Sequence, residues 1–128
     1  MELADPLDAA TIKQLRELGD DSFIAELAEM FLSDFEPTYA RLLGAIRNDD
    51  TQTAASSAHF LKGSSLSIGL LALSGVLAQV EAHFRTEGGA LSEAVLNEMQ
   101  RRADEAQTRL RLLLAETEGF GHTRPIGL

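Results

Sequence analysis

Ala58-His59-Phe60-Leu61-Lys62-Gly63-Ser64-Ser65-Leu66-Ser67-Ile68-Gly69 is the stretch on which the reading of this chain turns. At about 100° per residue, Ala54, Ala58, Leu61, Ser65 and Ile68 fall on one side of a helix, which is therefore its core face. His59 lies well over ~90° from the middle of that stripe, so it is expected to point into solvent, with Lys62 at i+3 and Gly63 at i+4 as surface neighbours. A glycine inside a helix costs about 0.8–1.0 kcal/mol relative to alanine. Beside an exposed histidine, the missing side chain reads as clearance that lets another protein's surface reach the imidazole. Lys62 is the only Asp, Glu, Lys or Arg between Thr51 and Gln79, so the histidine face is neutral to positive in a chain of formal charge −9. Ala55, Ser56 and Leu66 flank it as positions for a partner to cover.

Outward from this helix, apolar residues recur at helical spacing and no segment sustains a two-residue alternation, so the fold class is all-α. A short first helix is expected from about Asp8 to Leu18, with Leu7, Ile12, Leu15 and Leu18 as its apolar side, Asp5 or Asp8 as cap and Gly19 as stop. It should pack as a lid. The second runs from Asp20 or Asp21 to near Asn48 and carries Phe23, Leu27, Met30, Phe31, Leu42, Leu43 and Ile46, with Pro37 expected to kink or interrupt it. Asp49 or Asp50 caps the third, from Thr51 to about Ile68. Gly69 separates it from a fourth, Leu70 to about Arg85, whose Leu73, Val76, Leu77, Val80 and Phe84 form one stripe. After the Gly88-Gly89 loop, a fifth helix from about Leu91 to Glu116 is expected to bury Leu91, Val95, Met99, Ala103, Leu110 and Leu113. Four long helices with short connections predict an antiparallel up-down four-helix bundle with an additional short N-terminal helix. Residues 1–118 read as one domain and 119–128 as a flexible C-terminal tail.

Composition sets the outer limits. A chain of 128 residues, 45% hydrophobic and 24% charged, is of single-domain size and ordinary globular character. It has no cysteine, which removes disulfides, thiolate metal sites and thiol nucleophiles. Its acidic N-terminus lacks a signal-peptide pattern and no apolar run approaches the ~20 residues of a membrane span, so a cytoplasmic location is expected. Twenty acidic against eleven basic side chains repel nucleic acid and anionic lipid, leaving neither as an expected partner. A closed bundle leaves no second apolar face, and a monomer is expected.

The run His59-Phe60-Leu61-Lys62-Gly63-Ser64-Ser65, followed by Gly69, Leu73 and Glu81, resembles the phosphoacceptor motif of histidine-containing phosphotransfer domains. The likeness extends back to Leu18-Gly19-Asp20-Asp21-Ser22-Phe23 and Met30-Phe31-Leu32, and covers about Leu7 to Glu116. It implies that His59 accepts a phosphoryl group from the aspartate of one response-regulator receiver domain and passes it to another. By the same resemblance Lys62 is the charge partner, Gly63 the clearance position and Glu81 a hydrogen-bond partner of the imidazole. The chain would be a carrier rather than an enzyme, with receiver domains and hybrid sensor histidine kinases as partners. It would have no cofactor of its own, Mg²⁺ being supplied on the receiver. Imidazole suits the task, since an unperturbed pKa near ~6.5 leaves a neutral, nucleophilic nitrogen at cellular pH. One departure is Leu70, where the family commonly has a small residue.

Other chemistries fit poorly. A di-iron site needs Glu-x-x-His pairs, yet Ser56 and Val80 stand three residues before His59 and His83. A phosphate-cradling glycine loop is missing, because the Lys62-Gly63-Ser64 run lies inside a helix with its lysine on the wrong side of the glycine. His83 reads as a rim residue and His122 as part of the tail. One rival stays open: a helical adaptor that docks a receiver or other signalling protein through the same face without carrying phosphate.

Overall fold

The computed structural model describes residues 5–121, with side chains described as far as Glu116. Five helices and no strand are found among the described residues: α1 (Ala9–Leu18), α2 (Asp21–Arg47), α3 (Thr51–Ser67), α4 (Leu71–Thr86) and α5 (Glu93–Gly121). Three of them begin on an aspartate whose carboxylate accepts a first-turn backbone N–H: Asp8 from Thr11, Asp20 from Phe23 and Asp50 from Thr53. Each such cap satisfies a donor that the helix cannot satisfy itself. Helix α4 instead starts at Leu70, which has no side-chain cap and is buried in the core. The departure from a small residue at this position thus fills interior space.

Short links impose the topology. Helix α3 is about 25 Å long at 1.5 Å per residue, so links as short as Asn48-Asp49-Asp50 and Ile68-Gly69-Leu70 make each helix turn back along its predecessor. Helix α2 packs on α3 and α5, α4 packs on the same two, and the four close a ring around the core. Tyr39 Oη donates to Gln100 Oε1 at 3.0 Å, tying α2 to α5.

The core stripe of α2 is Ile24, Ala28, Phe31, Phe35, Tyr39, Leu42 and Ala45. Of the other apolar residues that α2 carries, Met30 is 60% exposed, and Phe23, Leu27, Leu43 and Ile46 are half-buried. Because α2 touches both α3 and α5, the arc it buries is centred on Ile24, Phe31, Phe35 and Leu42, and residues to either side of it are only partly covered. Leu18 of α1 is likewise exposed, and Leu91 and Val95 are only half-buried at the mouth of the bundle. Pro37 does not interrupt α2. Both it and Ser33, whose carbonyl loses its partner to the ring, face solvent, where water replaces the missing donor.

Helix α5 runs past Glu116, the end expected from the sequence, to Gly121, and so into the stretch 119–128. Glycine lowers helix stability by about 1 kcal/mol without forbidding the conformation. The remainder of that stretch, His122 included, lies outside the described residues.

The segment before α2 covers one end of the bundle, at the α3–α4 turn. Asp8 N–H donates to Gly69 O at 2.8 Å, Leu7 and Ile12 are buried, and Asp5 pairs with Arg109 of α5 at 2.8 Å. Gly69 is required there on two counts. Its φ is +87°, and a Cβ would sit 3.0 Å from Thr11 Cβ. Gly69→Ala is expected to cost about 1–2 kcal/mol, read as a lower urea midpoint at unchanged helical content.

Candidate functional site

Small residues make α3 a narrow helix. Ala54, Ala55, Ser57, Ala58 and Ser65 are buried along it, which brings α2 and α4 close on either side and leaves its outer surface overlooking α4. Ser74 Oγ of α4 donates to the carbonyl of Lys62 at 3.3 Å, and Ser65 Oγ turns back to Leu61 O at 2.7 Å. The first of these bonds ties α4 to α3 where the exposed polar residues stand, and the second satisfies the buried Ser65 hydroxyl within α3.

His59 projects from that surface with 63% of its side chain exposed. Its Nδ1 lies 3.0 Å from Oε2 of Glu81, one helix away. Glu81 is only 10% exposed and collects two cations as well: Lys62 Nζ stands 2.8 Å from Oε1, and Arg85 Nε donates to Oε2 at 2.7 Å. Burial alone pushes the Glu81 carboxyl up, but the contacts from Lys62 and Arg85, with the charges of Lys62 and a protonated His59, prevail and hold it at about 2. The carboxylate is therefore ionised at any cellular pH.

An ionised carboxylate only accepts hydrogen bonds, so the bond to His59 places the imidazole proton on Nδ1 and leaves the lone pair on Nε2. Nε2 has no hydrogen-bond partner among the described residues. One nitrogen is anchored and the other is open, which is the arrangement a nucleophilic imidazole needs.

The pairing at Glu81 has a consequence for stability. A carboxyl held near 2 when folded, against an ordinary value near ~4.3, binds its proton more readily in the unfolded chain across the interval between. Its contribution is thus fully present above the unfolded value and lost as pH falls through that interval toward 2. Melting temperatures of the native chain and Glu81→Gln, compared between about pH 7 and about pH 2.5, are expected to differ at neutral pH and converge in acid.

Gly63 is exposed, and a Cβ built there meets nothing within 4 Å. Packing within the chain therefore does not require glycine at this position. Of the flanking positions, Leu66 is 55% exposed and Ser56 is exposed, but Ala55 is 4% exposed and belongs to the core. Helix α3 is wedged between two neighbours, so its buried arc is wider than a single stripe and takes in Ala55, which is corrected as a docking position. Beyond Leu66, a groove between α2 and α3 is lined by Leu27, Met30, Phe31, Asp34, Ser64 and Ser67.

Arg85 was missed by sequence reasoning, although its i+4 spacing from Glu81 is a recognisable ion-pair signal. Its meaning depends on Glu81 lying under His59, which sequence spacing does not show. His83 is a rim residue: its Nε2 lies 3.1 Å from Gly89 O, and its ring meets Phe84 edge-on at 4.8 Å. No group of three His, Cys, Asp or Glu side chains suited to a metal ion occurs among the described residues, and no helix among them is long and apolar enough to cross a membrane.

Comparison with known proteins agrees with this geometry. The family model for the Hpt domain matches residues 26–118. Among solved structures, the crystal structure of histidine-containing phosphotransfer protein B (HptB) from Pseudomonas aeruginosa PAO1 superposes with a TM-score of 0.73 at 23% identity, covering 91% of this chain and 97% of that one. At that identity the likeness shows the shared fold. No curated protein sequence matches the chain. With an exposed imidazole on a helical bundle, and a family match over most of its length, the chain belongs to the Hpt domain family, the histidine phosphotransfer modules of phosphorelays.

Proposed function

We propose that His59 is the phosphoacceptor, taking a phosphoryl group from the aspartate of one receiver domain and delivering it to the aspartate of another. The observation that carries this reading is the anchored Nδ1 and open Nε2 on a ring that stands in solvent. In the forward step the Nε2 lone pair attacks phosphorus, the P–O bond to the donor aspartate breaks, and that carboxylate leaves. Return to a second aspartate reverses the bonds. Such transfer depends on in-line placement and charge neutralisation more than on covalent work by the carrier.

Lys62 and Arg85 give the neutral-imidazole cluster one positive charge in excess over Glu81, which favours arrival of a phosphoryl dianion. Gly63 leaves room for the receiver, and exposed Leu66, with Ser56 and the neighbouring groove, offers it a surface. Mg²⁺ and the acidic residues that bind it belong to the receiver, so this chain is a carrier without turnover of its own. It acts in the cytoplasm as a monomer, alongside receivers and a hybrid sensor histidine kinase.

Incubation with a phosphorylated receiver and Mg²⁺ is expected to label the chain with phosphate that is lost in acid and retained in base, as a phosphoramidate is. Binding of the receiver without label would instead support the adaptor reading. Acid-stable label would indicate a hydroxyl such as Ser56 or Ser64 and overturn the assignment.

A further inference from the structure

His59 and Arg85 share one oxygen. Oε2 of Glu81 takes the imidazole Nδ1 at 3.0 Å and Arg85 Nε at 2.7 Å, while Oε1 faces Lys62 at 2.8 Å. Resting on the proposal that His59 carries the phosphoryl group, we infer that this three-way pairing sets how long the phosphohistidine lasts. Glu81 promotes loss of the phosphoryl group and Arg85 restrains it, both as positioning residues that act through the imidazole.

The chemistry of the leaving group gives the direction. When phosphate departs, the P–Nε2 bond breaks and its electron pair stays on Nε2, while a new P–O bond forms to the receiver carboxylate or to water. If Nδ1 holds a proton, the departing group is neutral imidazole; if it does not, the group is imidazolate, a far poorer one. A carboxylate accepting the Nδ1 hydrogen bond stabilises the protonated ring and keeps the phosphohistidine ready to discharge. A guanidinium on the same oxygen opposes this twice. It competes for the acceptor, and its positive charge disfavours a second positive charge on the ring.

The other charges around His59 are few. Lys62, on His59's own helix, acts in the same sense as Arg85 through Oε1. From α2, Arg41 lines a hollow with Ser56 and Phe60, and Asp34 lines the groove with Ser64. Neither bonds to the imidazole or to Glu81 among the described residues, so the balance lies between Glu81 and its two cations. Arg85 is the half-exposed member, and its removal leaves Lys62 to keep the carboxylate ionised.

The test loads the full chain with phosphoramidate, a small donor that bypasses any receiver, and follows hydrolysis against pH by ³¹P NMR. Glu81→Gln is expected to move the midpoint of the pH–rate profile down by about one unit, roughly tenfold slower loss on its alkaline limb. Arg85→Met is expected to move it up by about half a unit, roughly threefold faster loss, with Arg85→Lys returning part of the way. Shifts of opposite sign are the signature, since a merely structural role for either residue changes rates without moving the midpoint. Midpoints that stay together, or move in the same direction, overturn the inference while leaving His59 as acceptor. A chain that takes no phosphoryl group on His59 overturns both.

Discussion

Replacing His59 with glutamine is expected to abolish transfer, lowering acid-labile label from a phosphorylated receiver by roughly a hundredfold or more. An amide has no lone-pair nitrogen able to form the P–N bond. It also reaches Glu81 as a hydrogen-bond donor, so the cluster keeps its partner. Since the imidazole is exposed on α3 and contributes nothing to the core, the variant should melt close to the native chain. Loss of label then reports chemistry rather than unfolding. The measurement is radiolabel per chain before and after acid treatment, with circular dichroism on the same sample. Label persisting in His59→Gln would sink the assignment.

Gly63→Gln should separate stability from transfer. In the helix, glutamine is the better former by about half a kcal/mol, and the site has space, for no atom lies within 4 Å of a Cβ there. The folded chain should therefore be slightly more stable. Transfer is expected to fall by about a hundredfold, because a long side chain one turn from His59 holds the receiver off, and a misplacement of about 1 Å costs that much in a step governed by alignment. Gly44→Ala provides the comparison: its Cβ also meets nothing within 4 Å, but it lies on α2, near the end of that helix. It should gain a similar stability and transfer at the native rate. Stopped-flow transfer from a phosphorylated receiver, with urea melts alongside, decides the matter. An unchanged rate in Gly63→Gln would remove the clearance argument for the glycine.

Both predictions rest on a face that the sequence already showed in part. The stripe of Ala54, Ala58, Leu61, Ser65 and Ile68 is buried as its spacing required, and the exposure of His59 follows from the same angles. Three of the helix starts were marked by aspartates that do cap. These features are legible because a helix repeats every 3.6 residues and a cap acts over three, so the information is local.

Where neighbours set the outcome, local reading fell short. Ala55, expected on the docking face, belongs to the core, because burial depends on where α2 and α4 lie against α3 and not on one helix's own stripe. Pro37 kept its helix because its side of α2 faces water. The cluster at the site shows the same division more sharply.

From the order of residues alone came an all-helical chain, its caps and turns, and an imidazole facing outward beside Lys62 and Gly63. The family resemblance pointed to Glu81, twenty-two positions away, as a partner of that imidazole, but only the packing of α3 on α4 decided that its carboxylate would be buried there with Arg85 on the same oxygen. Periodicity fixes which way a side chain faces on its own helix. What it meets there depends on the distance and register between two helices, which the bundle as a whole determines.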